Sequence, residues 1–120
     1  MRKLFLSLFA AALFSISASA QTKAQLTAKI SIPTIQCEMS KKQIESSLDR
    51  YDGVVSAVVN VKRKEITVKY LTDRTNIEVI KTAIANAGYD AAEIGANPEA
   101  YKALPKCCKK PEDGGGTKKQ

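Results

Sequence analysis

Ala28-Lys29-Ile30-Ser31-Ile32-Pro33-Thr34-Ile35-Gln36-Cys37-Glu38-Met39-Ser40-Lys41-Lys42-Gln43-Ile44 contains a change of period, and that change decides the fold. Ala28, Ile30 and Ile32 are apolar at every second position, with Thr27, Lys29 and Ser31 between them, which predicts a half-buried strand. Pro33 marks its end or an edge. From Ser40 the period is helical: Ile44, Leu48 and Tyr51 fall on one face, and Lys41, Lys42, Glu45, Asp49 and Arg50 lie around the rest. Ser40 with Gln43 reads as a capping box, and Asp52-Gly53 as the stop. Cys37 sits at the junction. A thiolate there is partly exposed and beside the positive end of a helix dipole, which favours the charged form that binds soft metals.

Downstream the same two periods alternate. Ala57, Val59 and Val61, a turn at Lys62-Arg63-Lys64, then Ile66, Val68 and Tyr70 predict an antiparallel hairpin. Thr75 to Glu78 reads as a second capping box, opening a helix with Ile77, Ile80, Ala83, Ile84 and Ala87 as its buried stripe and Gly88 as its end. Tyr89–Ile94 is a weaker strand candidate. Asn97-Pro98 predicts the cap and first residue of a brief helix through Leu104. From Pro105 onward lysine, proline and glycine dominate, and the tail is expected to be disordered. The order strand, helix, strand, strand, helix, strand predicts an α+β fold, the ferredoxin-like βαββαβ sandwich, with a four-stranded antiparallel sheet and two helices on one face.

Upstream, residues 1–20 read as an export signal. Arg2 and Lys3 are positive, Leu4 to Phe14 is almost wholly apolar, and Ser17-Ala18-Ser19-Ala20 is a small-x-small site with cleavage after Ala20. The apolar run is shorter than the ~18 residues of a spanning helix, so no stable membrane insertion is expected and the mature protein is expected to be periplasmic or secreted. The remaining ~100 residues suit one small core. The organisation expected is a signal at 1–20, a domain at 21–95, and a short helix with a Cys-Cys, Lys/Gly-rich tail at 96–120.

Loss of Arg2 and Lys3 takes the formal charge from +7 to +5, the surplus lying on one turn and the tail. No aromatic residues interleave with these cations, so nucleic acid is not an expected partner. The chain has three cysteines and no histidine, so any soft-metal site is built from sulfur, and an odd count in an exported chain leaves at least one thiol free, metal-bound or paired with another molecule. No general base, partnered nucleophile or phosphate loop is visible, and an enzyme is not expected.

The residues also resemble the heavy-metal-associated domain family, which includes copper chaperones, metal-pumping ATPase extensions and periplasmic mercuric-ion binding proteins. Ile35-Gln36-Cys37-Glu38-Met39-Ser40 is similar to that family's metal loop, Ile44 and Leu48 to its first helix, Gly53-Val54 to the start of its second strand, and Gly88-Tyr89 to the end of its second helix. The likeness covers about Leu26 to Ile94, most of the mature chain on the domain scale. It implies a metal carrier, with a metal-transporting membrane protein as a partner. Ser40 stands where the family has its second metal-binding cysteine. Either Ser40 is only a helix cap and the metal role is reduced, or the missing ligand comes from Cys107-Cys108.

Cys107 and Cys108 are therefore candidate co-ligands of Cys37, with Met39 as a further thioether candidate and Tyr89 as a lid or packing group. Adjacent cysteines bond to each other only through a strained ring, so a stable Cys107–Cys108 disulfide is not expected. With a fourth strand antiparallel to the first, the chain leaves it far from Cys37 and must return ~23 Å. The helix before Leu104 and the residues after it span ~27 Å together, so the return is nearly taut, and use of the tail between molecules stays open. Sulfur ligands without histidine favour Cu(I), with Hg(II) by resemblance or Zn(II) as alternatives, although a structural zinc site wants four ligands. Two other readings are a thiol-redox protein acting through Cys107-Cys108 and a metal-free interaction module.

Overall fold

The computed structural model describes residues 24–115; the export signal read at 1–20 and the Lys118-Lys119 pair lie outside the described residues. The elements run β1 (Gln25–Ser31), α1 (Glu38–Asp49), β2 (Val54–Asn60), β3 (Glu65–Leu71), α2 (Ile77–Asn86) and α3 (Pro98–Lys102), followed by 3-10 turns at Lys106–Cys108 and Pro111–Asp113. The strands form one antiparallel sheet in the order β1-β3-β2. Its register lines up Ile30, Ile66 and Val59 in one row and Ala28, Val68 and Ala57 in the next, so the alternation read from the sequence falls on one face. Ile44 and Leu48 of α1 and Ile80, Ala83 and Ile84 of α2 are buried in the same core as that face. Each such leucine or isoleucine contributes ~1.5–3 kcal/mol by leaving water. At the outer edge of β2 the backbone N–H of Val59 donates to Glu45 Oε1 at 2.9 Å, tying α1 to the strand.

Both caps differ from expectation. Cys37, in extended conformation, is the N-cap residue of α1, and the helix begins at Glu38. Ser40 is therefore the third helical residue, fully buried, and not a cap. In α2 the cap is Asn76, whose Oδ1 accepts from Val79 N at 3.0 Å, one residue after the threonine read as its start. Tyr51 lies beyond the end of α1 and is exposed, because the helix stops at Asp49 and the chain turns toward Gly53.

The α+β sandwich stands, but the fourth strand expected at Tyr89–Ile94 is not formed. Ala92 has a φ of 52, incompatible with an extended strand, and Ala91 and Ile94 bridge to each other instead. Side chains hold this turn: Asp90 accepts from Ala96 N at 2.8 Å, and Lys81 Nζ pairs with Glu93 at 2.8 Å. One ladder-like bond remains, Ala92 N donating to Ser31 O at 2.8 Å on the free edge of β1. The chain after α2 thus meets β1 at Ser31, the end of that strand nearest Cys37.

From there α3 turns the tail inward. Gly88 has a φ of +103, and a Cβ on it would sit 3.1 Å from both the Ala100 carbonyl oxygen and Leu104 Cγ, so only glycine admits this packing. Asn97 caps α3 as expected, accepting from the N–H groups of Glu99 and Ala100, with Pro98 as its first residue. The expected disorder after Pro105 is contradicted through Gly115: Leu104 and Cys108 join the core, and Tyr101 pins the segment behind them. Its hydroxyl donates to Asp113 Oδ2 at 2.5 Å and accepts from Lys110 N at 3.0 Å, while Lys110 Nζ lies 5.6 Å from the ring centroid. Composition concealed these anchors, because three buried or half-buried side chains suffice to order a segment otherwise rich in lysine. Among the described residues no helix is long and apolar enough to cross a membrane.

Candidate metal centre

The loop 32–36 carries the chain from β1 to α1, and its Ile32 and Ile35 are buried, which anchors the Cys37 sulfur against the core. Cys37 is only 8% exposed, more enclosed than a loop thiol was expected to be. The short path from Ser31 through α3 delivers the 3-10 turn at Lys106–Cys108 onto it. The Sγ atoms lie 3.5 Å apart for Cys37 and Cys107, 3.6 Å for Cys37 and Cys108, and 3.9 Å for Cys107 and Cys108. No disulfide joins them.

A triangle with these sides has a circumradius of ~2.1 Å, close to the ~2.3 Å of a metal–thiolate bond. The three sulfurs are therefore spaced to touch one soft ion, which at that bond length sits ~0.9 Å off their plane. They are the cluster of potential ligand atoms present among the described residues. The taut return inferred from sequence does not arise, because it presumed the missing fourth strand.

The surroundings set unequal proton affinities. Burial raises the Cys37 pKa, but the Ser40 hydroxyl and backbone N–H, together with the Cys107 and Cys108 thiols, outweigh it and hold Cys37 below the ordinary thiol value. Ser40 Oγ lies 3.6 Å from Cys37 Sγ, so this serine serves the sulfur and not the helix end. Cys107 is pushed up to about 11, first by its hydrogen bond with Cys37, then by burial and by Cys108. Cys37 thus holds a thiolate more readily than Cys107 does.

One side of the triangle is closed. Cys108 and Tyr89 are wholly buried, and the Tyr89 hydroxyl donates to Gln43 Oε1 at 2.6 Å. Burial first, and then its neighbours Cys108 and Cys37, raise the Tyr89 pKa far above the ordinary range against a lowering by Ser40, so it remains a neutral wall. Met39 lies on the other side, 47% exposed, with its Sδ 3.9 Å from Cys107 Sγ. All four sulfur-bearing residues singled out in the sequence thus come together, and Tyr89 packs beside them. Gln43, read as the capping partner of Ser40, accepts from Tyr89 instead. Tyr101 was not anticipated; its sequence signal was a lone aromatic residue in the short helix leading to the cysteine pair.

Comparison with known proteins identifies the domain that carries Cys37. The family model for the heavy-metal-associated domain matches residues 29–90, a span that contains Cys37 and ends before Cys107 and Cys108. A copper chaperone, CopZ, of Staphylococcus haemolyticus is 33% identical over 61 residues, covering 51% of this chain and 90% of that protein. Among solved structures, the N-terminal domain of a potential copper-translocating P-type ATPase from Bacillus subtilis, in its Cu(I)-loaded state, superposes with a TM-score of 0.55. It is 25% identical, over 62% of this chain and 94% of that one. Oxidized MerP from Ralstonia metallidurans CH34 shares the fold at a TM-score of 0.55 and 22% identity, over 57% and 96% of the two chains.

Proposed function

The chain belongs to the heavy-metal-associated domain family, and on that premise we propose that it is an exported carrier of a soft metal ion, Cu(I) before Hg(II) or Zn(II), held by Cys37, Cys107 and Cys108. The observation that carries the reading is the sulfur triangle, whose sides of 3.5, 3.6 and 3.9 Å suit a single three-coordinate ion. Three thiolates and no histidine disfavour Cu(II), and they leave a tetrahedral zinc site one ligand short. A low-coordinate ion is also the kind that a competing thiol removes readily, which is what hand-over between proteins requires.

Export rests on the residues around Arg2-Lys3 and Ala18-Ser19-Ala20, and a partner in a metal-transporting membrane protein rests on the likeness to a domain of such a pump. The test is a Cu(I) competition titration of the mature chain with its thiols reduced. We expect one ion per chain, independent of protein concentration, and a Cys37→Ser variant weaker by ~100-fold or more, since removing the central thiolate forfeits a full ligand bond. Equal affinity of variant and parent sinks the site. A second reading, thiol-redox activity, is favoured by the 3.5 Å separation of the Cys37 and Cys107 sulfurs. Metal-free turnover of a disulfide substrate would support it.

A further inference from the structure

The four sulfurs form a graded path from solvent to core. Met39 Sδ is the outermost, on a residue lining an open groove that also includes Gln43 and Leu104. Cys107, half-buried, comes next at 3.9 Å; Cys37 lies 3.5 Å further in, and Cys108 is fully enclosed 3.6 Å from Cys37. Behind Cys37 and Cys108 stand Ser40 and Tyr89, both without solvent exposure. Of the three cysteines Cys107 is thus the least buried, and its sulfur is the one that faces Met39.

We propose that this order is the route of the ion: Met39 is its first contact, Cys107 is the ligand that exchanges, and Cys37 with Cys108 is the pair that retains it. The proposal rests on the metal-binding reading above and divides roles within that site. Cu(I) suits such a relay because thioether and thiolate sulfur both bind it, so the ion can be passed between them without leaving soft ligands. On release, the sulfur of an acceptor thiolate bonds to Cu(I) while the Cu–S bond to Cys107 breaks. Copper remains Cu(I) and no electron is transferred. The proton lost by the acceptor thiol ends on Cys107. Repetition at Cys37 and Cys108 frees the ion.

The test uses the Cu(I)-loaded mature chain and a chromophoric Cu(I) chelator, bicinchoninate, followed by stopped-flow absorbance and by equilibrium competition. Met39→Leu keeps an apolar side chain of similar size and should slow both loading and removal by ~5-fold or more while moving the equilibrium affinity less than ~3-fold, because a relay changes rates in both directions. Cys107→Ser should still bind one Cu(I), with faster removal, whereas Cys108→Ser should weaken binding at least ~10-fold more than Cys107→Ser does. Circular dichroism of each metal-free variant separates loss of a ligand from loss of the fold. Unchanged rates in Met39→Leu, or equal losses in the two cysteine variants, would overturn the proposal while leaving the site intact. A parent chain that takes up no Cu(I) would overturn the metal-binding reading and the route with it.

Discussion

Ser40→Cys places a fourth sulfur beside that of Cys37. Ser40 Oγ is fully buried and 3.6 Å from Cys37 Sγ, and in a tetrahedral tetrathiolate with bonds of ~2.3 Å the sulfurs lie ~3.8 Å apart. The existing sides of 3.5 to 3.9 Å already match that spacing. The substitution should therefore change which ion is preferred as well as how tightly it is held: zinc, one ligand short in the parent, acquires its full set. We expect Zn(II) affinity to rise by ~100-fold or more, equivalent to ~2.7 kcal/mol. Enlarging an atom in a position without free space should cost the metal-free fold ~1 kcal/mol, a fall of ~4–8 °C in Tm. Competition against a chromophoric zinc chelator measures the gain, and Co(II) substitution reports the geometry, since four thiolates give intense charge-transfer and tetrahedral d–d bands. Zn(II) affinity within ~3-fold of the parent, in a folded variant with four titratable thiols, would refute the inference that position 40 belongs to the cluster.

Ending the chain after Pro105 removes two candidate ligands and also a core residue, because Cys108 is wholly buried. Cu(I) affinity should collapse, and the Tm of the metal-free protein should fall by ~5 °C or more, measured by calorimetry. Tyr101→Phe deletes the hydroxyl that joins Lys110 and Asp113, and should loosen the tail by ~1 kcal/mol, seen as faster amide exchange confined to residues near 105–113. Alkaline titration of the metal-free chain has a defined sign. The folded-state pKa of Cys107, about 11, lies above its ordinary value of 9.0, so its contribution to stability is complete below pH 9.0 and is lost as pH rises through about 11. Denaturant midpoints of the parent should fall across that window more steeply than those of Cys107→Ser; parallel curves would contradict the assignment.

Much of the scaffold was legible because periodicity reports burial directly. The rows Ile30–Ile66–Val59 and Ala28–Val68–Ala57, and the stripes on α1 and α2, are patterns of period 2 and 3.6 that a sheet and its covering helices must show. Caps were less legible, since Ser40, Thr75 and Asn76 all have side chains able to cap, and the choice depends on where the backbone becomes extended. The segment after Gly88 misled for a different reason. Tyr89, Ala91 and Ile94 have strand-like spacing, yet Asp90 and Glu93 find partners that fold the stretch into a turn. That one misreading also made the tail cysteines look distant. The residues of the site were named in the sequence, but their meeting depends on Gly88, Leu104 and Tyr101, whose contacts span separate parts of the chain.

The separation of the ligands along the chain has a mechanical consequence. Cys37 and Cys107 are 70 residues apart, so an ion bonded to both acts as a cross-link closing nearly the whole domain into a ring. A covalent bridge over such a loop restricts the unfolded chain by ~4 kcal/mol, and a bound ion opposes unfolding in the same direction for as long as it stays. On the proposed function, the metal-bound chain is then stapled and the emptied one is not. Release of the ion would leave a looser chain, more easily unfolded and more easily cut, so resistance to proteolysis becomes a reading of whether metal is still held.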